Sequence, residues 1–206
     1  MNPTRAGFTS IAPWVRFGRG CIVHPFACLG IHPSQSPSLA RKAAIIGELW
    51  IGEGTEIRPH ATIYGGARIG NHCLIGDGAN IREGVDIGNH CIIGCNVSIN
   101  YDAQIADDVR IMNGTHITGG TKIGSGTFIG ANVTTMNDRS RAVVDYVFTS
   151  TDPPIIGERC LIGSGAVILP GVIIGDGACI GAGACVVASV PAGATVLGRA
   201  GTVKEV

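Results

Sequence analysis

Residues 51–135 read IGEGTEIRPHATIYGGARIGNHCLIGDGANIREGVDIGNHCIIGCNVSINYDAQIADDVRIMNGTHITGGTKIGSGTFIGANVTT, and an isoleucine returns at every sixth position from Ile51 through Ile57, Ile63 and Ile69 to Ile129. Gly often follows it, as at Gly70, Gly76, Gly88, Gly94, Gly124 and Gly130. Four positions after each Ile a small or β-branched residue is common, as at Thr55, Ala61, Ala67, Cys73, Ala79, Val85, Cys91 and Val97. Helices repeat near 3.6 residues and strands at 2, so a period of six fits neither alone. It is the period of a parallel β-helix built from hexapeptides. Three hexapeptides make one triangular coil, and residues 18 apart stack. Each short strand centres on the residue before the Ile, which points outward; the Ile and the residue two before it point inward. Parallel hydrogen bonding joins successive coils at about 4.8 Å. A single coil cannot bury its own apolar row, so stability comes from stacking.

The beat extends in both directions from this stretch. Residues 1–10 carry no repeat and read as a lead-in; Ile11, Phe17, Val23 and Leu29 keep the period, giving repeats over about 11–34. A polar excursion rich in turn formers, about residues 32–44, follows with Pro33, Ser34, Ser36, Pro37 and Ser38. The beat resumes near Ile45 and holds to residue 136. A second excursion, about 137–155, contains NDRSRAVVDYVFTSTDPP, the densest local charge of the chain. Repeats return over 156–197 at Ile156, Ile162, Ile168, Ile174, Ile180 and Val186. The expectation is one all-β domain over 1–206 with two excursion loops.

Composition supports this architecture and excludes several functions. Thirty-two Gly and only 5% aromatics among 206 residues suit many tight corners around a narrow interior. Fifteen basic and fifteen acidic residues cancel, leaving no electrostatic footprint for nucleic acid or an anionic membrane. No apolar run approaches a transmembrane length and no secretory pattern opens the chain, so the expected compartment is the cytoplasm. Of eight Cys, Cys21, Cys73, Cys91 and Cys160 hold the small inward position, where a free thiol packs as a compact hydrophobe. No C-x-x-C pair is present, which argues against a metal cluster, and no Cys has the charged surroundings of a nucleophile.

The last repeats, IGSGAVILPGVIIGDGACIGAGACVVASVPAGATVLG over 162–198, resemble the C-terminal signature of the hexapeptide acyltransferases. Residues 91–138, ending in Thr135-Met136-Asn137-Asp138, are similar to the nucleotide-sugar amino-acetyltransferases at the point where the coil breaks into a loop. The resemblance implies a left-handed winding, a homotrimer, acetyl-coenzyme A or another acyl-coenzyme A as co-substrate bound between subunits, and a sugar-nucleotide acceptor. No metal is expected.

Where the beat is disturbed, side chains suited to chemistry collect. His116 stands just before Ile117, outward, with Ser98 and Thr134 as stacked neighbours; an imidazole there can accept a proton from an attacking amine or hydroxyl. The duller alternative is a surface His. Asn137 is the second catalytic candidate. The resemblance implies a His near the start of the loop, and Asn departs from it; Asn is no base but can orient an amine or an oxyanion. Thr134, Asp138 and Arg139 are candidates for substrate contact, Arg139 for a diphosphate. Asn100, Tyr101 and Asp102 replace the Gly-rich corner expected after Ile99, which marks either a substrate corner or an Asx turn.

For the coenzyme, the resemblance carries over onto Ser164, Gly181, Ala182, Gly183 and Val187, small residues that keep the surface low. The family's Thr-Lys after the next Val-Val is absent here, so Arg199 or Lys204 is the candidate for phosphate charge. The preferred reading is acyl transfer to the amino group of a nucleotide-linked amino sugar. Transfer to a hydroxyl differs only in the acceptor. A zinc protein resembling the γ-class carbonic anhydrases is a further alternative, raised by His72 and His90 in equivalent Gly-Asn-His-Cys corners; that family's closely spaced His pair is missing here. His24, His32 and His60 read as corner or loop residues. A catalytically dead scaffold is the last alternative.

Overall fold

The computed structural model describes residues 4–5, 8–36, 47–138 and 151–198. Among these there are 27 strands and no helix, and most strands are two residues long. They form three parallel sheets of ten, nine and eight strands that run the length of a β-solenoid of about nine turns. The first sheet contains Leu74–Ile75, Ile92–Ile93, Arg110–Ile111, Phe128–Ile129 and Leu161–Ile162; the second Thr62–Tyr64, Asn80–Ile81, Ser98–Ile99, His116–Ile117 and Thr134–Thr135; the third Arg68–Ile69, Asp86–Ile87, Gln104–Ile105 and Lys122–Ile123.

The hexapeptide sets this geometry because only two of its six side chains are small or apolar enough for the interior. Ile57, Ile63, Ile75, Ile81, Ile93, Ile99, Ile111, Ile117 and Ile129 have no solvent exposure, and neither do Ala61, Ala67, Ala79, Val97 and Ala103 two places before an Ile. Burying each Ile contributes about 1.5–3 kcal/mol. The residue between them faces out.

Stacking follows the 18-residue spacing, with Asn80 opposite Ser98 and Ser98 opposite His116. Across the excursions the spacing lengthens, and Val15 lies opposite Leu49 and Lys122 opposite Ile155. Each excursion therefore leaves a coil and rejoins the same coil. At the start, the solenoid begins earlier than the apolar beat indicates: Thr4–Arg5 pairs with Ile22–Val23 although neither residue is apolar, because the pairing is made by the main chain.

The thiols are part of the scaffold. Cys21, Cys73, Cys91 and Cys160 are buried, and their Sγ atoms donate to the carbonyls of Gly52, Gly88, Ala106 and Gly175 at 3.0–3.2 Å. Burial pushes the Cys21 and Cys160 thiols up, and a hydrogen bond with Cys73 together with burial does so for Cys91. Thr55, Thr115 and Thr127 hold equivalent inward places and bond the carbonyls of Gly70, Gly130 and Gly157, each at 2.8 Å.

Candidate functional site

The outward column of the second sheet is polar and half-buried through Thr62, Asn80, Ser98, His116 and Thr134. His116 lies between Ser98 and Thr134, as its spacing predicts. Burial moves its imidazole below the ordinary range, so the ring is neutral and able to accept a proton at neutral pH. The other five His residues are engaged. His24 Nε2 lies 2.7 Å from Glu56 Oε1, which also takes Arg58. His32 packs on Trp14, His60 on Phe26, and His72 stacks on His90 with ring centroids 5.6 Å apart. The His116 ring alone has neither a ring partner nor a hydrogen bond among the described residues.

Just above His116 the ladder changes. In the coils below, the residue after the Ile donates its amide to the Ile carbonyl of the next coil, as Arg82 does to Ile99 at 2.9 Å and Asn100 to Ile117 at 2.8 Å. At the next step the Thr118 amide bonds instead to the side-chain Oγ1 of Thr135, at 2.8 Å. The Thr135 hydroxyl in turn lies 3.4 Å from the His116 carbonyl. Thr135 stands where the beat calls for Ile and is buried, so a hydroxyl inside the coil takes over a main-chain bond where the chain leaves for the second excursion. Sequence reasoning missed this role; the missing Ile at position 135 was its signal.

Asn137 braces the root of that excursion. Its Nδ2 donates to the Gly119 carbonyl at 3.0 Å, and its own carbonyl accepts from the Asp152 amide at 2.8 Å. The Tyr101 ring packs against Gly119: a Cβ on Gly119 would sit 2.5 Å from Tyr101 Cε2, so only glycine admits the ring there. The Tyr101 carbonyl also accepts from the Gly120 amide at 2.9 Å. Asp102 takes the left-handed corner position at φ 57°, the place that Gly66, Gly84 and Gly120 fill on neighbouring coils, so its backbone role is that of a turn residue.

The structure thus brings Asn100, Tyr101, His116, Thr134, Asn137 and Asp138 to one edge, the corner between the second and third sheets. Arg139 lies outside the described residues. Another feature that sequence reasoning passed over belongs to the same edge. Glu83 is a buried carboxylate paired with its neighbour Arg82, whose Nε and Nη2 donate to it at 2.9 and 3.3 Å.

The coenzyme candidates sit elsewhere. Ser164, Gly181, Ala182 and Gly183 form the corner between the first and second sheets, higher along the solenoid. There Ser164 Oγ accepts from the Ala131 amide at 3.2 Å, and the Gly183 amide donates to the Ser164 carbonyl at 2.9 Å. Val187 is 69% exposed and lines a hollow of about 360 Å³ with Cys185, Ala188, Ser189 and Pro191. Arg199 and Lys204 lie outside the described residues. A second groove, about 600 Å³, runs along the third sheet beside Asp86, Gln104, Lys122 and Ile155; no imidazole lines it. Among the described residues no group of three or more His, Cys, Asp or Glu side chains is placed to hold a metal ion, and no helix is long and apolar enough to cross a membrane.

Fold and repeat together define a parallel β-helix of hexapeptides. The family described as bacterial transferase hexapeptide (six repeats) matches residues 48–82, 66–100, 102–136 and 153–188, more than half of the chain. The chain belongs to that family. Its fold is similar to the UDP-N-acetylglucosamine acyltransferase of Campylobacter jejuni at TM-score 0.74 and 17% identity, over 91% of this chain and 68% of that one. LpxA of Acinetobacter baumannii is similar at TM-score 0.74 and 19% identity, over 95% and 71% of the two chains. The UDP-N-acetylglucosamine acyltransferase of Francisella novicida is similar at TM-score 0.66 and 20% identity, over 95% and 67%. No curated protein sequence matches the chain.

Proposed function

We propose that the chain moves an acetyl or other short acyl group from coenzyme A to the amino group of a nucleotide-linked amino sugar. The observation that carries this reading is His116: half-buried, neutral at physiological pH, without a partner among the described residues, and next to the coil break on a polar column. Membership of a transferase family and fold similarity to proteins named as sugar-nucleotide acyltransferases support it.

In this reading the amine nitrogen attacks the thioester carbonyl and His116 takes the amine proton. A C–N bond forms, the tetrahedral intermediate collapses with loss of the C–S bond, and the proton passes to the departing thiolate. Asn137 spends one amide hydrogen on Gly119 and directs the other at the amine or the oxyanion. Thr134 and Asn100 flank the acceptor. Ser164, Gly181, Ala182, Gly183 and Val187 contact the pantetheine arm. Acceptor and coenzyme residues lie on opposite edges of the second sheet, and a neighbouring copy in a homotrimer encloses the space between them. A cytoplasmic location, where acyl-coenzyme A is made, belongs to the same proposal.

The test is thiol release from acetyl-coenzyme A by the purified protein with a panel of amino and hydroxy sugar nucleotides. Release with amino acceptors alone is expected. Release with hydroxy acceptors instead would reassign the reaction to O-acylation, and no release with any acceptor would count against both. Stoichiometric zinc in the purified protein would favour the carbonic-anhydrase-like alternative.

A further inference from the structure

Tyr64, Arg82, Asn100 and Thr118 follow one another at 18-residue spacing along the corner between the second and third sheets, two residues on from the column that carries His116. Arg82 is held from two sides. Its Nε and Nη2 are fixed on the Glu83 carboxylate, and its guanidinium lies over the Tyr64 ring, 4.7 Å from the centroid. The Glu83 side chain is 8% exposed and the Arg82 side chain 30%. The pair therefore points its negative end into the protein and its positive end outward. The Nη1 amino group has no partner among the described residues.

A free surface arginine carries side-chain entropy that binding must overcome. At Arg82 most of that ordering is already done, and what remains open is one edge of a planar guanidinium, a donor suited to phosphate oxygens. Its position fits one ligand class. His116 stacks on Ser98 and Ser98 on Asn80, so Arg82 lies two coil steps below His116, about 10 Å at the spacing of parallel strands. In a sugar nucleotide the diphosphate hangs from the anomeric carbon of the ring that bears the amine, at a comparable separation. Asn100, one coil above Arg82, lies between the two.

We propose that Arg82, held in place by Glu83 and Tyr64, binds the diphosphate of the acceptor, which lies along this corner with its amine at His116. This deepens the function proposed above and rests on it for the acceptor's chemistry.

Two measurements on the full chain separate the failure of one from the failure of the other. The first compares a nucleotide-linked amino sugar with the same sugar bearing a free anomeric hydroxyl, using acetyl-coenzyme A as donor. Arg82→Gln should lower the selectivity (kcat/KM) for the linked over the free acceptor about tenfold or more, mainly through KM, the scale expected for a lost charge-assisted hydrogen bond. Unchanged selectivity would overturn the proposal while leaving the acyl-transfer reading intact. The second is calorimetric titration with UDP and GDP, which needs no turnover. Wild type should bind at least one of them, and Arg82→Gln about tenfold more weakly or not at all. Binding through Arg82 without transfer to any acceptor would sink the acyl-transfer reading and keep this one; absence of binding by wild type would overturn this one. Should Arg82→Gln alone unfold because the buried Glu83 loses its ion pair with Arg82, Arg82→Gln combined with Glu83→Gln replaces that ion pair by a neutral hydrogen-bonded one and is carried through the same two measurements.

Discussion

On the first sheet the outward column includes Ile22, Leu74, Phe128 and Leu161, each 37–48% exposed, whereas on the second it runs through the half-buried polar Thr62, Asn80, Ser98, His116 and Thr134. Behind both lies the same interior: Ile93, Ile111 and Ile129 on the first, Ile81, Ile99 and Ile117 on the second, all without solvent exposure. Folding constrains the inward places to be alike. The outward places are free to differ, and there the first face carries exposed apolar side chains while the next is polar. The exposed apolar side chains of the first column, interrupted by Glu56 and Arg110, suit the neighbouring copy proposed above; a polar ladder ending at a coil break suits a small polar substrate.

The comparison can be broken at several points. The largest effects should come from the shared interior. Ile99→Ala and Ile111→Ala should each lose about 2–5 kcal/mol in denaturant unfolding, and by similar amounts; a much smaller loss on the second sheet would mean that the two interiors are not equivalent. Next, Phe128→Glu combined with Leu161→Glu should reduce the sedimenting mass to that of one chain and leave the fold intact by circular dichroism. An unchanged mass would separate the apolar face from assembly.

A smaller effect concerns pH. The folded protein holds His116 below its unfolded value, so between the depressed value and about 6.5 the unfolded chain binds more protons and stability rises with pH across that window. His116→Asn should remove that rise in unfolding free energy measured as a function of pH. The smallest effect lies inside the coil. Thr115 Oγ1 accepts from the Val133 amide at 3.2 Å and Thr127 Oγ1 from the Cys160 amide at 3.0 Å, while the buried Thr121 Oγ1 has no partner among the described residues. The residue that closes the coil above Thr121 is Pro154, which has no amide hydrogen to offer. Thr121→Val should therefore stabilise by about 1 kcal/mol, and Thr115→Val should destabilise; equal losses would contradict this account.

The scaffold was legible because the hexapeptide writes its inward positions directly into the sequence: Ile every six, small residues two places earlier, stacking at 18. The same spacing placed His116 between Ser98 and Thr134. What depends on a particular partner did not show in the period. Asp102 reads as a polar disturbance, yet its backbone does the work that Gly84 and Gly120 do beside it. Glu83 keeps to no signal of the repeat, and only the folded structure puts its carboxylate inside against Arg82. Thr135 and Pro154 are plain in the sequence as interruptions, but which main-chain bond each one alters becomes visible only when the coils are stacked.

The measurement closest to the central claim is turnover of His116→Ala with acetyl-coenzyme A and the accepted sugar nucleotide, beside its melting temperature. Placing the chemistry on the second sheet predicts a fall in kcat of about a hundredfold or more, as loss of a general base produces, with little change in melting temperature. Near-normal turnover would remove His116 from the mechanism and the acceptor site from this face.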